Sequence, residues 1–505
     1  MVAAPSVPGL PRPDQVRPIA LSQLTGAAGS DARLGGADVE VTGITSGTGF
    51  VRPGDLFAGL PGARVHGASF AADAIAAGAI AVLTDAAGAP LVPGGVPTLV
   101  VDDVRKRLGP VSAAVYEHPS GAMNVLGVTG TSGKTTTTFL IRAGLVAAGR
   151  TPGLIGTVAT MIGDEEVKTG FTTPEAPEVQ ALLAVMRERG VTDVAMEVSS
   201  HALAMGRASG IEFAVAGFTN LSQDHLDFHA DMEDYFAAKA RLFDGRARRA
   251  VVVVDDVWGK RMAELAGPHT MTVTTTGEGD ADWRAVDVRS TPTGGTAFAV
   301  RGEADLDTGC AVPGRYNVAN ALLALAILAE VDVPADLAAP AIASATVPGR
   351  MERIDAGQPF LAVVDYSHKP AAVDGALRAL RPLTTGRLII VLGCGGDRDR
   401  GKRPHMGEIA ARGADLLIVT DDNPRSEDPA SIRHAMLDGA LAVPESERGE
   451  VREIGDRAEA IAAAVREARA GDTVLVAGKG HETGQEIAGT VHPFDDRTVL
   501  REVLA

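Results

Sequence analysis

The chain has 505 residues, 45% hydrophobic and 22% charged, with a net charge of −17. That length is too great for one core and predicts about three domains, and the composition is that of an ordinary soluble globular protein. The acidity argues against a nucleic-acid partner, whose phosphates want a basic face, but leaves room for small anions held by a local cluster of donors. Two cysteines, Cys310 and Cys394, stand far apart without metal-ligand spacing. No disulfide framework is expected, and a reducing compartment fits. The start of the sequence lacks the charged-then-apolar order of a signal peptide, and no run approaches the ~20 apolar residues of a spanning helix. A cytoplasmic location without a membrane partner is expected.

Taken in chain order, the first ~25 residues are rich in Pro and read as a loose tail. Strands are expected at Val39–Ile44, Asp55–Gly59, Ile80–Thr84 and Thr98–Val101, with a small-residue helix at Ala68–Ala77. They make a small α/β domain, 1–105. The run "NVLGVTGTSGKTTTTFL" then opens a second domain, 106–347. An apolar strand enters a glycine loop and a helix there, the arrangement that cradles phosphate with backbone N–H groups and a helix N-terminus. Lys134 would reach the terminal phosphates and Thr135 a magnesium ion. Five residues separate Gly127 from Gly133, one more than the usual phosphate-loop spacing. Further strands are expected at Val194–Val198, Ala214–Thr219 and Ala250–Val254, then a β-rich stretch from His269 to Arg301 and a helix from Asn317 to Leu328. Strand–helix alternation predicts a mostly parallel sheet. "TVPGRMERI" marks a boundary, and four apolar runs follow within 348–505: "PFLAVVDYS", "RLIIVLGCGG", "DLLIVTDDNP" and "DTVLVAGKG". Helical periods between them, including Arg457–Arg469, predict a doubly wound α/β unit whose ligands sit at strand carboxyl ends.

The loop "TGTSGKTTT" resembles the ATP loop of the Mur ligase family, the ATP-dependent amide ligases of peptidoglycan precursor synthesis. The resemblance extends along essentially the whole chain. It implies an N-terminal UDP-sugar-binding domain, a central ATPase-like domain and a C-terminal Rossmann-like domain that closes over the central one. It further implies that Gly130, Thr131, Ser132, Gly133, Lys134, Thr135 and Thr136 hold ATP. By the same resemblance Glu197 of "AMEVSSHAL" and His225 of "TNLSQDHLDFH" bind Mg2+, and Lys239 of "YFAAKARLF" is carbamylated to hold a second Mg2+. Hard cations want such oxygen ligands, and Mg2+ neutralises phosphates beside an attacking carboxylate. Taken alone, Lys239 reads as a solvated helix residue, while Asp224, His225, Asp227 and His229 form a conspicuous cluster.

Asn317 and Asn320 match the family's adenine contacts, although composition alone equally makes Asn317 a helix N-cap. Arg350, Asp365 and His368 match residues that face ATP. Ser46, with the nearby "GARVHG", fits the uridine and diphosphate region, or is a turn serine. Thr172, Thr173, Ser199 and Arg207 resemble residues that hold UDP-N-acetylmuramoyl-L-alanyl-D-glutamate. Asp422-Asn423-Pro424-Arg425 resembles the meso-diaminopimelate signature, with Arg398, Gly478 and Glu482 matching further contacts. Arg425 would grip the distal carboxylate in two-pronged fashion, and Glu482 would suit the distal ammonium. Read without the family, "DNPR" is an Asx/Pro turn with a surface arginine. The chain departs from family patterns at Phe171, Met205 and Lys369. The reading is therefore a monomeric, ATP- and Mg2+-dependent ligase joining meso-diaminopimelate to the dipeptide. The alternatives are an L-lysine-adding relative, a folylpolyglutamate synthetase, and a P-loop ATPase switch.

Overall fold

Apolar runs too short for helices pair into sheets, and the helical periods between them cover the sheet faces. The computed structural model describes residues 11–167, 172–226, 228–277, 279–291 and 294–505. It divides into two units: one holds the chain up to Arg284 with 302–304 and 322–341, the other holds 285–301, 305–321 and 342–505.

In the first unit a small sheet runs in the order Arg33–Gly35, Thr98–Val101, Ala81–Asp85, Asp55–Ala58, Gly43–Thr45, with only Arg33–Gly35 antiparallel to its neighbour. The strand expected at Val39–Ile44 splits. Glu40–Val41 pairs with Ile19–Ala20, while Thr42 N bonds Gly54 O and Gly43–Thr45 joins the sheet. The tail expected to be loose to residue ~25 is fixed in its described part. Arg12 meets Asp55 at 2.6 Å, and the helix Leu21–Ala28 buries Leu21 and Leu24 completely. Those leucines lie three apart, so both reach one face and outweigh the cost of ordering a short helix. The helix Val104–Val115 continues this core, where Val104, Leu108 and Val111 share a cluster with Ala176 and Ala181 of the helix Ala176–Glu188.

The larger sheet of this unit is parallel from Pro152–Ile155 through Asp193–Glu197, Asn124–Thr129, Phe213–Phe218 and Ala247–Val253 to Thr270–Thr274. A short antiparallel edge, Thr160–Ile162 and Glu165–Val167, adjoins Pro152–Ile155. Its central strands are buried on both faces, as parallel strands must be. Asn124–Thr129 and Phe213–Phe218 are neighbours although far apart in sequence, so their carboxyl ends meet.

The second unit holds nearly all of the hairpin of Thr296–Gly302 with Leu306–Cys310, and a sheet of parallel strands edged by the short antiparallel strand Glu352–Arg353. The order is Leu361–Asp365, Thr473–Ala477, Leu388–Leu392, Leu416–Val419, Glu450–Glu453, so the last strand inserts between the first two. All four apolar runs read from the sequence are these strands. Under the sheet Arg457 and Asp496 form a completely buried ion pair, Nε to Oδ1 at 2.7 Å and Nη2 to Oδ2 at 2.8 Å. Arg457 Nη2 also donates to Ala477 O, tying a helix to the strand end that precedes Gly478. Among the described residues no helix is long and apolar enough to cross a membrane.

Truncating one partner of such a pair leaves the other charge buried and uncompensated. Asp496→Ala should lower unfolding free energy by about 3–5 kcal/mol. Denaturant unfolding of the intact chain measures this, and a loss under about 1 kcal/mol would contradict the pair's structural role.

Candidate functional site

The strand Asn124–Thr129 discharges into loop 130–133 and the helix Lys134–Ala147. Gly130 (φ 150°) and Gly133 (φ 91°) take conformations that side chains resist, and a Cβ on Gly130 would lie 1.8 Å from Thr219 Oγ1. The adjacent strand end pins the loop. Ser132 N donates to Asn220 Oδ1 at 3.1 Å, while Asn220 Nδ2 and Thr219 Oγ1 donate to Ser132 O at 3.1 and 2.7 Å. Thr131 Oγ1 lies 3.2 Å from the Tyr235 hydroxyl, whose pKa burial pushes well above its ordinary value, so the phenol stays neutral.

Lys134 Nζ donates to Gly130 O at 2.8 Å and to Thr131 O at 3.1 Å. Lys239 Nζ donates to the same Gly130 O at 2.8 Å and stands 4.4 Å from the centre of the Tyr235 ring. Lys239 is thus a buried residue, not the solvated helix residue its local sequence suggests. Two ammonium groups and a helix N-terminus converge on one loop, a strong anion site.

Thr135 Oγ1 donates to Glu197 Oε1 at 2.9 Å; Thr157 N and Oγ1 donate to the two oxygens of the same carboxylate at 2.8 and 3.0 Å. Glu197 is almost completely buried at the end of Asp193–Glu197. With the one Thr157 hydroxyl proton given to Glu197, Thr172 Oγ1 donates to Thr157 Oγ1 at 2.9 Å, and Thr173 Oγ1 donates to Glu197 O at 3.0 Å. Arg207 joins this side, its Nη1 bonding Thr173 O at 3.2 Å and its Nε pairing with Glu175 at 2.9 Å. Ser199 caps the helix Ser200–Ala204. Thr136 is buried in the first turn after the loop.

The sequence cluster of acids and histidines divides. His225 (φ 53°) pairs with Asp224 at 3.0 Å and meets the His201 ring edge-on, centroids 4.8 Å apart. His229 turns inward to Asp234 and Ser200, each at 3.1 Å, as a structural histidine. Asp227 and Phe171 lie outside the described residues. Among the described residues no group of three or more His, Cys, Asp or Glu stands ready to hold a metal. Thr135 and Glu197 nevertheless place hard oxygens side by side, the donor type Mg2+ takes, whereas an unmodified Lys239 ammonium is a donor and ligates nothing. Ser46 sits partly buried just past Gly43–Thr45. In the same small domain His66 Nδ1 accepts from Ala68 N, which leaves Nε2–H to donate to Asp85 at 3.1 Å.

Asn317 is not the N-cap of its helix, which begins at Arg315. Instead its Nδ2 donates back to Pro313 O at 2.7 Å and its Oδ1 accepts from Asn320 at 3.3 Å, so the two asparagines form one amide pair. Asp365 is fixed by Met351 N at 2.7 Å and Ser367 N at 2.9 Å. The Arg350 guanidinium stacks 4.1 Å from the Tyr366 ring centre. His368 Nδ1 donates to Tyr366 O at 2.7 Å; burial, with Lys369 and Lys402 nearby, pushes its pKa down to about 3, so it is neutral at physiological pH. Burial pushes both Cys310 and Cys394 up to about 12, which removes them as nucleophiles.

The carboxyl ends of Leu388–Leu392, Leu416–Val419 and Thr473–Ala477 bring the third group together. Asp422, Asn423 and Pro424 are buried, and Arg425 takes a left-handed backbone (φ 54°). Its Nη1 donates to Gly396 O at 2.6 Å and its Nε faces Glu486 at 3.5 Å. It is therefore no loose surface arginine. Gly478 (φ 118°) abuts Asp422, where a Cβ would lie 2.6 Å from Oδ2. Glu482 is already shared: its Oε2 accepts from Asn423 Nδ2 at 2.9 Å and Lys479 at 3.2 Å. Arg398 is exposed on the loop after Leu388–Leu392. Sequence reasoning missed Lys479, Thr157, Tyr235 and Glu427. Lys479 had a signal, a lysine between two glycines at a strand end, and Tyr235 lies one helical turn before Lys239. Thr157 had none, because its role depends on strand pairing.

Residues 40–116 match the Mur ligase family catalytic domain, 128–328 the Mur ligase middle domain and 349–480 the Mur ligase glutamate ligase domain. The chain is 55% identical over 502 residues to the UDP-N-acetylmuramoyl-L-alanyl-D-glutamate–2,6-diaminopimelate ligase of Streptomyces avermitilis, covering 98% of each. A solved structure of a ligase of that name is similar at TM-score 0.68 and 32% identity, over 92% of this chain and 95% of the other. The Thermotoga maritima MurF ligase in complex with ADP shares the fold at TM-score 0.61 and 18% identity, over 92% of this chain and 96% of that one.

Glu427 braces the Arg425 loop by accepting from Arg403 at 2.9 Å and Asp397 N at 2.6 Å, and Arg403 foremost holds its carboxyl at about 2, below the ordinary 4.5. A depressed carboxyl contributes stability that is complete above its unfolded pKa and fades as pH falls from about 4.5 toward 2. Wild type should therefore melt above Glu427→Gln at pH 7, and the gap should shrink between pH 5 and pH 3, each pH approximate. A gap in melting temperature that is constant across that range would refute the assignment.

Proposed function

The chain belongs to the Mur ligase family, and on that premise we propose how its residues divide the work. It is an ATP-dependent amide ligase of peptidoglycan precursor synthesis. It joins meso-diaminopimelate to the D-glutamate γ-carboxylate of UDP-N-acetylmuramoyl-L-alanyl-D-glutamate, forming ADP and phosphate. The observation that carries this is the full-length 55% identity to a ligase of that specificity. The two-lysine loop at Gly130 and the Arg425–Glu482 region supply the matching chemistry.

A free carboxylate is a poor electrophile. Transfer of the γ-phosphoryl group makes an acyl phosphate; the amine attacks, and the tetrahedral adduct expels phosphate. In our assignment loop 130–136 holds the phosphates, and Lys134 exchanges its carbonyl partners for phosphate oxygens. Thr135 and Glu197, with His225 and a carbamylated Lys239, are the residues that would hold Mg2+, which supplies charge neutralisation between phosphate and carboxylate. Carbamylation would replace the Lys239 ammonium by an anion while leaving one N–H on Nζ to donate to Gly130 O. Asn317, Asn320, Arg350, Asp365 and His368 are assigned to the nucleotide. Ser46, Thr172, Thr173, Ser199 and Arg207 are assigned to the UDP-muramoyl dipeptide. Arg398, Asp422, Asn423, Pro424, Arg425, Gly478 and Glu482 are assigned to diaminopimelate. Domain bounds at 1–105, 106–347 and 348–505, a monomeric state and a cytoplasmic location complete the reading.

ADP release at constant dipeptide, with meso-diaminopimelate, L-lysine or no amine, tests it directly. Diaminopimelate alone should stimulate strongly. Arg425→Ala should raise KM for diaminopimelate about 30- to 100-fold, the loss of roughly 2–3 kcal/mol from a charge-assisted contact. Equal use of lysine by wild type would overturn the amine assignment. ADP release indifferent to dipeptide and amine would point to an ATPase switch instead.

A further inference from the structure

A lysine side chain is rarely buried completely without a partner of opposite charge. Lys479 is buried completely, with no exposed side-chain surface, and its partner is Glu482. It lies between Gly478 (φ 118°) and Gly480 (φ 56°), and close contacts hold both glycines: a Cβ would come within 2.6 Å of Asp422 Oδ2 at the first and of Gly349 O at the second. This backbone turns the lysine inward, where Nζ donates to Asn423 Oδ1 at 3.1 Å and Glu482 Oε2 at 3.2 Å. Glu486 N donates to Asn423 Oδ1 at 2.9 Å, so both lone pairs of the amide oxygen are used and its orientation is fixed. Asn423 Nδ2 then donates one hydrogen to Glu482 Oε2 at 2.9 Å. Among the described residues no protein group is recorded on the second Asn423 N–H or on Glu482 Oε1. One donor and one acceptor are thereby presented together, the complement of a carboxylate beside an ammonium.

We propose that Lys479 is a positioning and specificity residue of the amine site: it orients Asn423 and Glu482, and its buried charge selects a zwitterionic amine tail over a lone ammonium. The inference rests on the amine-site reading above. The charge logic follows from the pair. Glu482 faces a protein cation before any substrate arrives, so a tail that brings only positive charge adds a second cation to one carboxylate. A tail that brings a carboxylate with its ammonium adds no net charge. Arg425 and Arg457 lie on the same side of the balance, with Asp422, Glu482 and Glu486 opposing them. A cation at Lys479 therefore complements what Arg425 does for the carboxylate.

The test measures initial rates at saturating ATP and dipeptide, against meso-diaminopimelate and against L-lysine, for wild type, Lys479→Met and Lys479→Gln. Lys479→Met should raise KM for diaminopimelate about tenfold, the scale of one charge-assisted bond, and cut the diaminopimelate-to-lysine ratio of kcat/KM by a similar factor. KM for ATP should stay within about twofold of wild type. Lys479→Gln keeps a donor without the charge, so it should recover part of the KM but not the discrimination. It also carries the test if the methionine variant fails to fold. A parallel rise in KM for ATP and amine with an unchanged ratio would mean a merely structural lysine and overturn the proposal, as would no change at all. Wild type without a preference for diaminopimelate would instead overturn the amine-site reading on which the proposal stands.

Discussion

One carbonyl oxygen, that of Gly130, accepts from both Lys134 and Lys239 at 2.8 Å. Much of the first unit is arranged around that convergence. The carbonyl can face inward only because Gly130 turns through φ 150° directly under Thr219. Thr219 is there because Phe213–Phe218 pairs in parallel with Asn124–Thr129. Lys239 arrives from a separate helix, Met232–Ala240, with Tyr235 one turn earlier shielding it and bonding Thr131. Sheet topology thus fixes a backbone conformation, and that conformation concentrates positive charge at the loop to which our proposal assigns phosphate. Across the same loop the buried Glu197 carboxylate balances the charge and draws in Thr135 and Thr157.

Strand and loop placement were legible where the signal is local. Apolar runs ending in glycine or polar residues located the strands Thr98–Val101, Asp193–Glu197 and Thr473–Ala477 within a residue or so, because buried parallel strands read as continuous apolar runs. The loop around Lys134 was legible for the same reason. What failed was whatever tertiary pairing decides. The segment around Arg12 and Leu21 looked loose because its Pro content is a local feature, while Asp55 and the sheet face that fix it are distant in sequence. Asn317 was equally readable as a cap, since the helix start expected at Asn317 lies two residues from the actual start at Arg315 and helix ends shift by that much. Lys239 looked solvated because a lysine taken singly is normally exposed, and only the Gly130 carbonyl shows why it is buried.

Both candidate centres share one electrostatic device. Buried donors and charges that a ligand would engage are satisfied beforehand by the protein: Lys134 and Lys239 by loop carbonyls, Arg425 by Gly396 O and Glu486, Glu482 by Lys479 and Asn423. Leaving any of them unpaired in a buried position would cost about 1–3 kcal/mol, and more for a full charge. The partners are of two kinds, and the difference has consequences. A backbone carbonyl is a neutral partner that an incoming anion outbids, so in our assignment the Gly130 loop can give up its lysines to a phosphate ligand with a net gain. Lys479 and Glu482 are a charged pair, and separating them would strand a cation without surface exposure. On the proposed assignment the Gly130 loop is therefore built to exchange partners, whereas the Lys479–Glu482 site is built to keep its pair and to select a ligand that completes it.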